Sequence, residues 1–195
     1  MITCHVRVIG EENIPRQGPV ILASNHVSLL DPIVIGCVVK RPIDFMAKQE
    51  LFRNPIFATI LKWVYAFPVR RGEADRQAFR HSLRILERGR VLGVFPEGTR
   101  SVNGKLLPAM SGTALIASKS GAPVIPIAVL GTREIWKKNA LLPCPGRIEV
   151  RIGKPLVFSR DDEMPIGVMS EKIMNEIAAL MADTGGEAIE GRSCR

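Results

Sequence analysis

Aromatic residues are scarce in this chain, with one Tyr, two Trp and seven Phe among 195 residues. Proteins that hold single-stranded nucleic acid stack its bases on aromatic faces, and no DNA- or RNA-binding motif is present either, so nucleic acid is not an expected partner. The four cysteines, Cys4, Cys37, Cys144 and Cys194, are widely scattered and form no Cys-x-x-Cys pair. That spacing excludes a disulfide scaffold and a thiolate metal site, and the thiols read as free in a reducing compartment. The chain has only three histidines, none at metal-ligand spacing, so no metal is expected. A Gly-x-Ser-x-Gly elbow is missing, which removes one hydrolase design. No stretch reaches the roughly 18 to 20 apolar residues that span a bilayer. The nearest candidate, residues 55–69, is broken by Lys62 and Pro68. His5, Arg7, Glu11 and Glu12 interrupt any signal-peptide pattern at the N-terminus.

Strand and helix patterns alternate along the chain. Val20-Ile21-Leu22-Ala23 and Val91-Leu92-Gly93-Val94-Phe95 are near-continuous apolar runs, the form taken by strands buried on both faces of a sheet. Further strands are expected at residues 6–9, 43–47, 124–129 and 148–152. Helices are expected at 31–39, 50–64, 74–88, 110–121 and 170–182. Asp31-Pro32 opens the first of these, with proline in the first turn where it is tolerated. Residues 1–183 therefore read as a single α/β domain with a mostly parallel mixed sheet flanked by helices. Residues 184–195 read as a flexible tail with little to bury.

Charge is distributed unevenly. Residues 40–105 carry fourteen Lys or Arg against six Asp or Glu, an excess equal to the whole net charge of +8. Arg76, Arg80, Arg84 and Arg88 recur every four residues and so share one face of a helix. That face is either simply solvated or meets an anionic partner, a membrane surface or an acidic acyl donor.

Two polar constellations interrupt the apolar pattern. The first is Asn25-His26-Val27-Ser28-Leu29-Leu30-Asp31-Pro32. The second, seventy residues on, is Phe95-Pro96-Glu97-Gly98-Thr99-Arg100-Ser101. Each has a plain structural reading, a core histidine in one case and a glycine turn in the other. Imidazole plus carboxylate is also the minimal kit for taking a proton from a hydroxyl near neutral pH.

In this order and at this separation, the two motifs resemble those of the glycerolipid acyltransferases, the 1-acylglycerol-3-phosphate acyltransferase family, which carries His-x4-Asp and then Phe-Pro-Glu-Gly-Thr-Arg. Residues 67–71 and 124–132 are similar to two further family motifs. The resemblance implies His26 as the general base and Asp31 as its orienting carboxylate. Asn25, Arg70, Arg71, Glu97, Gly98, Thr99 and Arg100 are then the substrate-binding set, with the arginines on an acceptor phosphate. Arg70 stands where the family carries an acidic residue, and it would replace positive charge missing at Ala109-Met110-Ser111-Gly112.

The implied reaction moves a fatty acyl group from acyl-CoA or acyl-carrier protein to the sn-2 hydroxyl of lysophosphatidic acid. It needs no cofactor and no acyl-enzyme. The implied partners are a lysophospholipid acceptor, the acyl donor and an anionic membrane surface. The expected location is cytoplasmic, peripheral on the cytoplasmic face of a membrane. Other readings are an acyltransferase for a different lysolipid, a noncatalytic basic lipid-binding protein and a thioester hydrolase.

Overall fold

The computed structural model describes residues 4–55, 58–59, 61, 65–70, 75–136, 144–158 and 164–183. Its elements run β1 (Cys4–Ile9), β2 (Val20–Ser24), α1 (Asp31–Val38), β3 (Ile43–Lys48), β4 (Phe67–Val69), α2 (Arg76–Glu87) and β5 (Val91–Val94). They continue as α3 (Gly112–Ser120), β6 (Val124–Leu130), α4 (Thr132–Ile135), β7 (Gly146–Ile152) and α5 (Ile166–Ala182). The strands form one seven-stranded sheet in the order β1-β7-β6-β2-β5-β3-β4. Every neighbouring pair is parallel except β6 with β7. The architecture is the single α/β domain with a mostly parallel mixed sheet expected from the sequence.

The centre of the sheet is where the apolar runs lie. All of β2 is buried, and its alternate residues feed two cores. Val20 and Leu22 face α1 and the aromatic Phe45, whereas Ile21 and Ala23 face α2, α3 and α5. Full burial of an Ile or Leu side chain contributes about 1.5 to 3 kcal/mol, so the period-two pattern fixes the register of β2 against both neighbours.

Some elements differ from the sequence reading. The expected helix at 50–64 begins as a 3-10 turn, Gln49–Arg53, and breaks at Asn54, which is extended with φ −87 and ψ 122. The cause is Pro55, whose ring disfavours helical geometry in the preceding residue. Helix resumes at Pro55, Ala58, Thr59 and Leu61, and residues 56–57, 60 and 62–64 lie outside the described set. Phe67–Val69 is a strand that the pattern did not announce; Pro68 is tolerated there because β4 is the sheet's edge. Helix α2 buries Ala78, Ser82, Ile85 and Leu86, with Phe79 and Leu83 half-buried beside them. Asp75 caps it by accepting bonds from the Gln77 and Ala78 N–H groups. The expected tail, 184–195, lies outside the described residues.

At the opposite end of the sheet from the polar motifs, Asp44 is buried, and Arg90 Nε lies 3.0 Å from its Oδ2. The approach is not angled as a hydrogen bond, and Oδ2 has no such partner. Burial accordingly raises the Asp44 carboxyl above its usual value, against the pull of Arg90 and His81. A raised folded-state pKa means that the folded protein binds this proton more tightly than the unfolded chain does. The stability so contributed is present below the ordinary carboxylate pKa and is lost as pH rises through the raised value. Urea midpoints should therefore show wild type losing stability relative to Asp44→Asn as pH climbs from the acid range towards neutrality.

Candidate active site

Parallel strands deliver their C-terminal ends to one edge of a sheet, where ligand sites of α/β folds collect. Here β6, β2 and β5 are adjacent in that order. The segments that follow them, beginning at Asn25, Phe95 and Gly131, therefore meet although they are far apart in sequence.

Asp31 is the hub. It is fully buried in the first turn of α1, a position that favours a carboxylate. Its Oδ2 accepts bonds from His26 Nδ1 at 2.8 Å and from the Val27 and Ser28 N–H groups, both at 2.7 Å. Its Oδ1 accepts the Thr132 hydroxyl at 2.6 Å. With Nδ1 on the carboxylate, Nε2 is the ring nitrogen that Asp31 does not engage. His26 itself is 9% exposed and lies flat against Phe95, ring centroids 4.0 Å apart and planes 18° apart. Phe95 in turn packs over Phe45 at 6.1 Å.

Glu97 joins the two motif loops. Its Oε1 accepts the His26 N–H at 2.9 Å and its Oε2 accepts the Leu107 N–H at 2.9 Å. Ser101 N–H adds a bond of 2.8 Å to the His26 carbonyl. Burial raises the Glu97 carboxyl above its ordinary value, outweighing those two N–H donors. A carboxylate that the resemblance puts in the substrate-binding set thus accepts two backbone N–H bonds. Asn25 is likewise committed: its amide donates to the Val129 carbonyl at 3.0 Å and accepts the Val129 N–H at 2.8 Å. Both ends of the amide pair with the backbone of strand β6.

Gly98 is required by its turn, since its φ is +65 and a Cβ there would collide with the Met110 sulfur. Thr99 and Arg100 are exposed on the same loop. They line a cavity of about 500 Å³ together with Val27, Ser28, Arg133, Glu134 and Trp136. Arg133 is a cation that motif reading missed; its Nη1 donates to the Asn103 carbonyl at 3.0 Å. Arg70 is not brought to this cavity. It leaves β4, three strands from β2, roughly 14 Å away at the usual strand spacing. There its Nε donates to Gln49 at 3.2 Å. Arg71 lies outside the described residues.

A fully buried carboxylate bonded to a histidine and a cavity lined by Arg100, Arg133 and Glu134 thus share the C-terminal edge of the parallel strands. The chain belongs to the acyltransferase family, whose model matches residues 5–130. It is 32% identical over 183 residues to the 1-acyl-sn-glycerol-3-phosphate acyltransferase of Bacillus subtilis, covering 90% of this chain and 87% of that one. The Borreliella burgdorferi protein of the same name is 29% identical over 69% of this chain, which spans 54% of its length. Among solved structures, the 1-acyl-sn-glycerophosphate acyltransferase PlsC of Thermotoga maritima matches with a TM-score of 0.75 at 27% identity. That match covers 93% of this chain and 73% of the other.

Proposed function

We propose that the protein transfers a fatty acyl group from a thioester, acyl-CoA or acyl-carrier protein, to the sn-2 hydroxyl of lysophosphatidic acid, giving phosphatidic acid. The observation that carries this reading is the His26–Asp31 pair, a buried carboxylate on Nδ1 with no hydrogen bond on Nε2 among the described residues. The names of the relatives support the choice of acceptor.

In the proposed reaction His26 Nε2 takes the acceptor's hydroxyl proton as the oxygen attacks the thioester carbonyl. The new C–O bond forms, the C–S bond breaks, and the departing thiolate recovers the proton from the imidazolium. Asp31 holds the ring in the required tautomer and balances its transient charge. The scheme needs neither an acyl-enzyme nor a cofactor.

In this reading the acceptor phosphate is bound by Arg100 and Arg133, which line the cavity together with Glu134. This placement replaces Arg70, which stands at the sheet's edge. Arg76, Arg80, Arg84 and Arg88 are exposed and pair with no carboxylate among the described residues, which suits an anionic membrane surface carrying the lysolipid. Among the described residues no helix is long and apolar enough to cross a membrane.

The test is thiol release from acyl-CoA by the purified protein, with and without lysophosphatidic acid. Release that requires the acceptor and yields phosphatidic acid supports the reading, while release without acceptor means a hydrolase. Arg100→Gln and Arg133→Gln should each raise KM for the phosphorylated acceptor by about tenfold or more, the scale of a charge-assisted hydrogen bond. A neutral monoacylglycerol should be used as before. Equal losses with both acceptors would show that the two arginines do not read the phosphate.

A further inference from the structure

We infer that Thr132 is a positioning residue of this site, acting on His26 through Asp31, an inference that rests on the proposed base role of His26. Among the described residues Asp31 Oδ1 has one hydrogen-bond donor, the Thr132 hydroxyl at 2.6 Å. The other three donors, on His26, Val27 and Ser28, all converge on Oδ2. Bonds to a single oxygen leave the carboxylate plane free to pivot about that oxygen. A fourth bond to the opposite oxygen fixes the plane, and with it the line along which Oδ2 faces Nδ1.

Thr132 is suited to this work because its own position is determined. It is fully buried and opens the short helix α4 directly after β6. The preceding Gly131 has φ +87, and a Cβ there would collide with the Arg147 carbonyl. Three residues upstream, the two bonds between Asn25 and Val129 tie this end of β6 to the residue next to His26. Branching at Cβ limits Thr132 to few χ1 rotamers, so its hydroxyl is held where Asp31 needs it. The loops after β2 and β6 are thereby joined by a side-chain contact that bears on the reacting histidine, 101 residues apart in sequence.

The consequence lies in turnover rather than in substrate binding. Positive charge grows on the imidazole only as the hydroxyl proton moves, so a misoriented carboxylate is felt in the transition state and not in the resting complex. Thr132→Val keeps the shape and deletes the hydroxyl; it should lower kcat about tenfold while KM for donor and acceptor stays within about twofold. Thr132→Ser keeps the donor and should retain most of kcat, whereas Thr132→Ala should lose it. Should the valine variant fail to fold, the Ser and Ala pair makes the same comparison in a smaller side chain. A second readout does not depend on turnover: the low-field proton resonance of the His26 Nδ1–H should move in Thr132→Val and stay in Thr132→Ser. Unchanged kcat in the valine variant, equal losses in Ser and Ala, or a change confined to KM would each overturn the inference. Full turnover by His26→Ala in the same assay would instead overturn the base reading beneath it, whatever the Thr132 variants do.

Discussion

His26→Ala is expected to lower turnover by about two to four orders of magnitude, the reach of general-base catalysis, in a protein that remains folded. The loss falls on chemistry because no other group among those described stands against the Asp31 carboxylate as a base. The fold survives because the imidazole is not the only partner its neighbours have. Asp31 keeps the Val27 and Ser28 N–H groups and the Thr132 hydroxyl, and Glu97 bonds the backbone N–H of residue 26 rather than its side chain. Phe95 loses the ring stacked on it but keeps Phe45. A denaturation midpoint and a single-turnover assay on one preparation separate the two effects. Turnover near wild type in a folded variant ends the base reading.

The His26–Asp31 contact was legible in the sequence because both members lie in one motif, where the chain itself brings them together. The groups that support the pair were not. Thr132 follows a glycine at the end of an apolar strand, a commonplace setting, and nothing local says that β6 lies beside β2. Arg133 is hidden for the same reason. The resemblance places Asn25 among the substrate-binding residues; that its amide pairs with the backbone of Val129 is a contact that leaves no trace in the pattern. For Glu97, only the crossing of two loops shows that its oxygens face N–H donors.

Strand order explains the fate of Arg70 in the same way. Motif order along the chain suggests that residues 67–71 stand with the others, but β4 lies beyond β3 at the edge. The buried strands were the easiest elements to read, since Val20-Ile21-Leu22-Ala23 and Val91-Leu92-Gly93-Val94 admit few alternatives. The stretch around Pro55 was the hardest. Its apolar period continues through a proline that interrupts the backbone, and the local steric rule prevails over the period.

Asp31→Asn should separate charge from geometry and is the second large effect expected. In the wild type one oxygen faces three donors and the other faces a hydroxyl. The amide of Asn can reproduce this arrangement in a single orientation, with its oxygen at the three-donor position and its NH2 towards Thr132. The threonine hydroxyl can turn to accept that bond, since it is both donor and acceptor. The ring should therefore keep its tautomer and the protein its fold, while the negative charge that balances the imidazolium is gone. Turnover is expected to fall by about a hundredfold or more, with KM little changed. Asp31→Ala differs in kind, because it strands the buried Ser28 N–H and the partly buried Val27 N–H. At about 1 to 3 kcal/mol for each unsatisfied group, that variant should lose stability as well as turnover. Urea denaturation of both variants beside their kinetics decides the matter. An Asn variant that turns over normally would show that Asp31 matters as a scaffold and that its charge takes no part in the reaction.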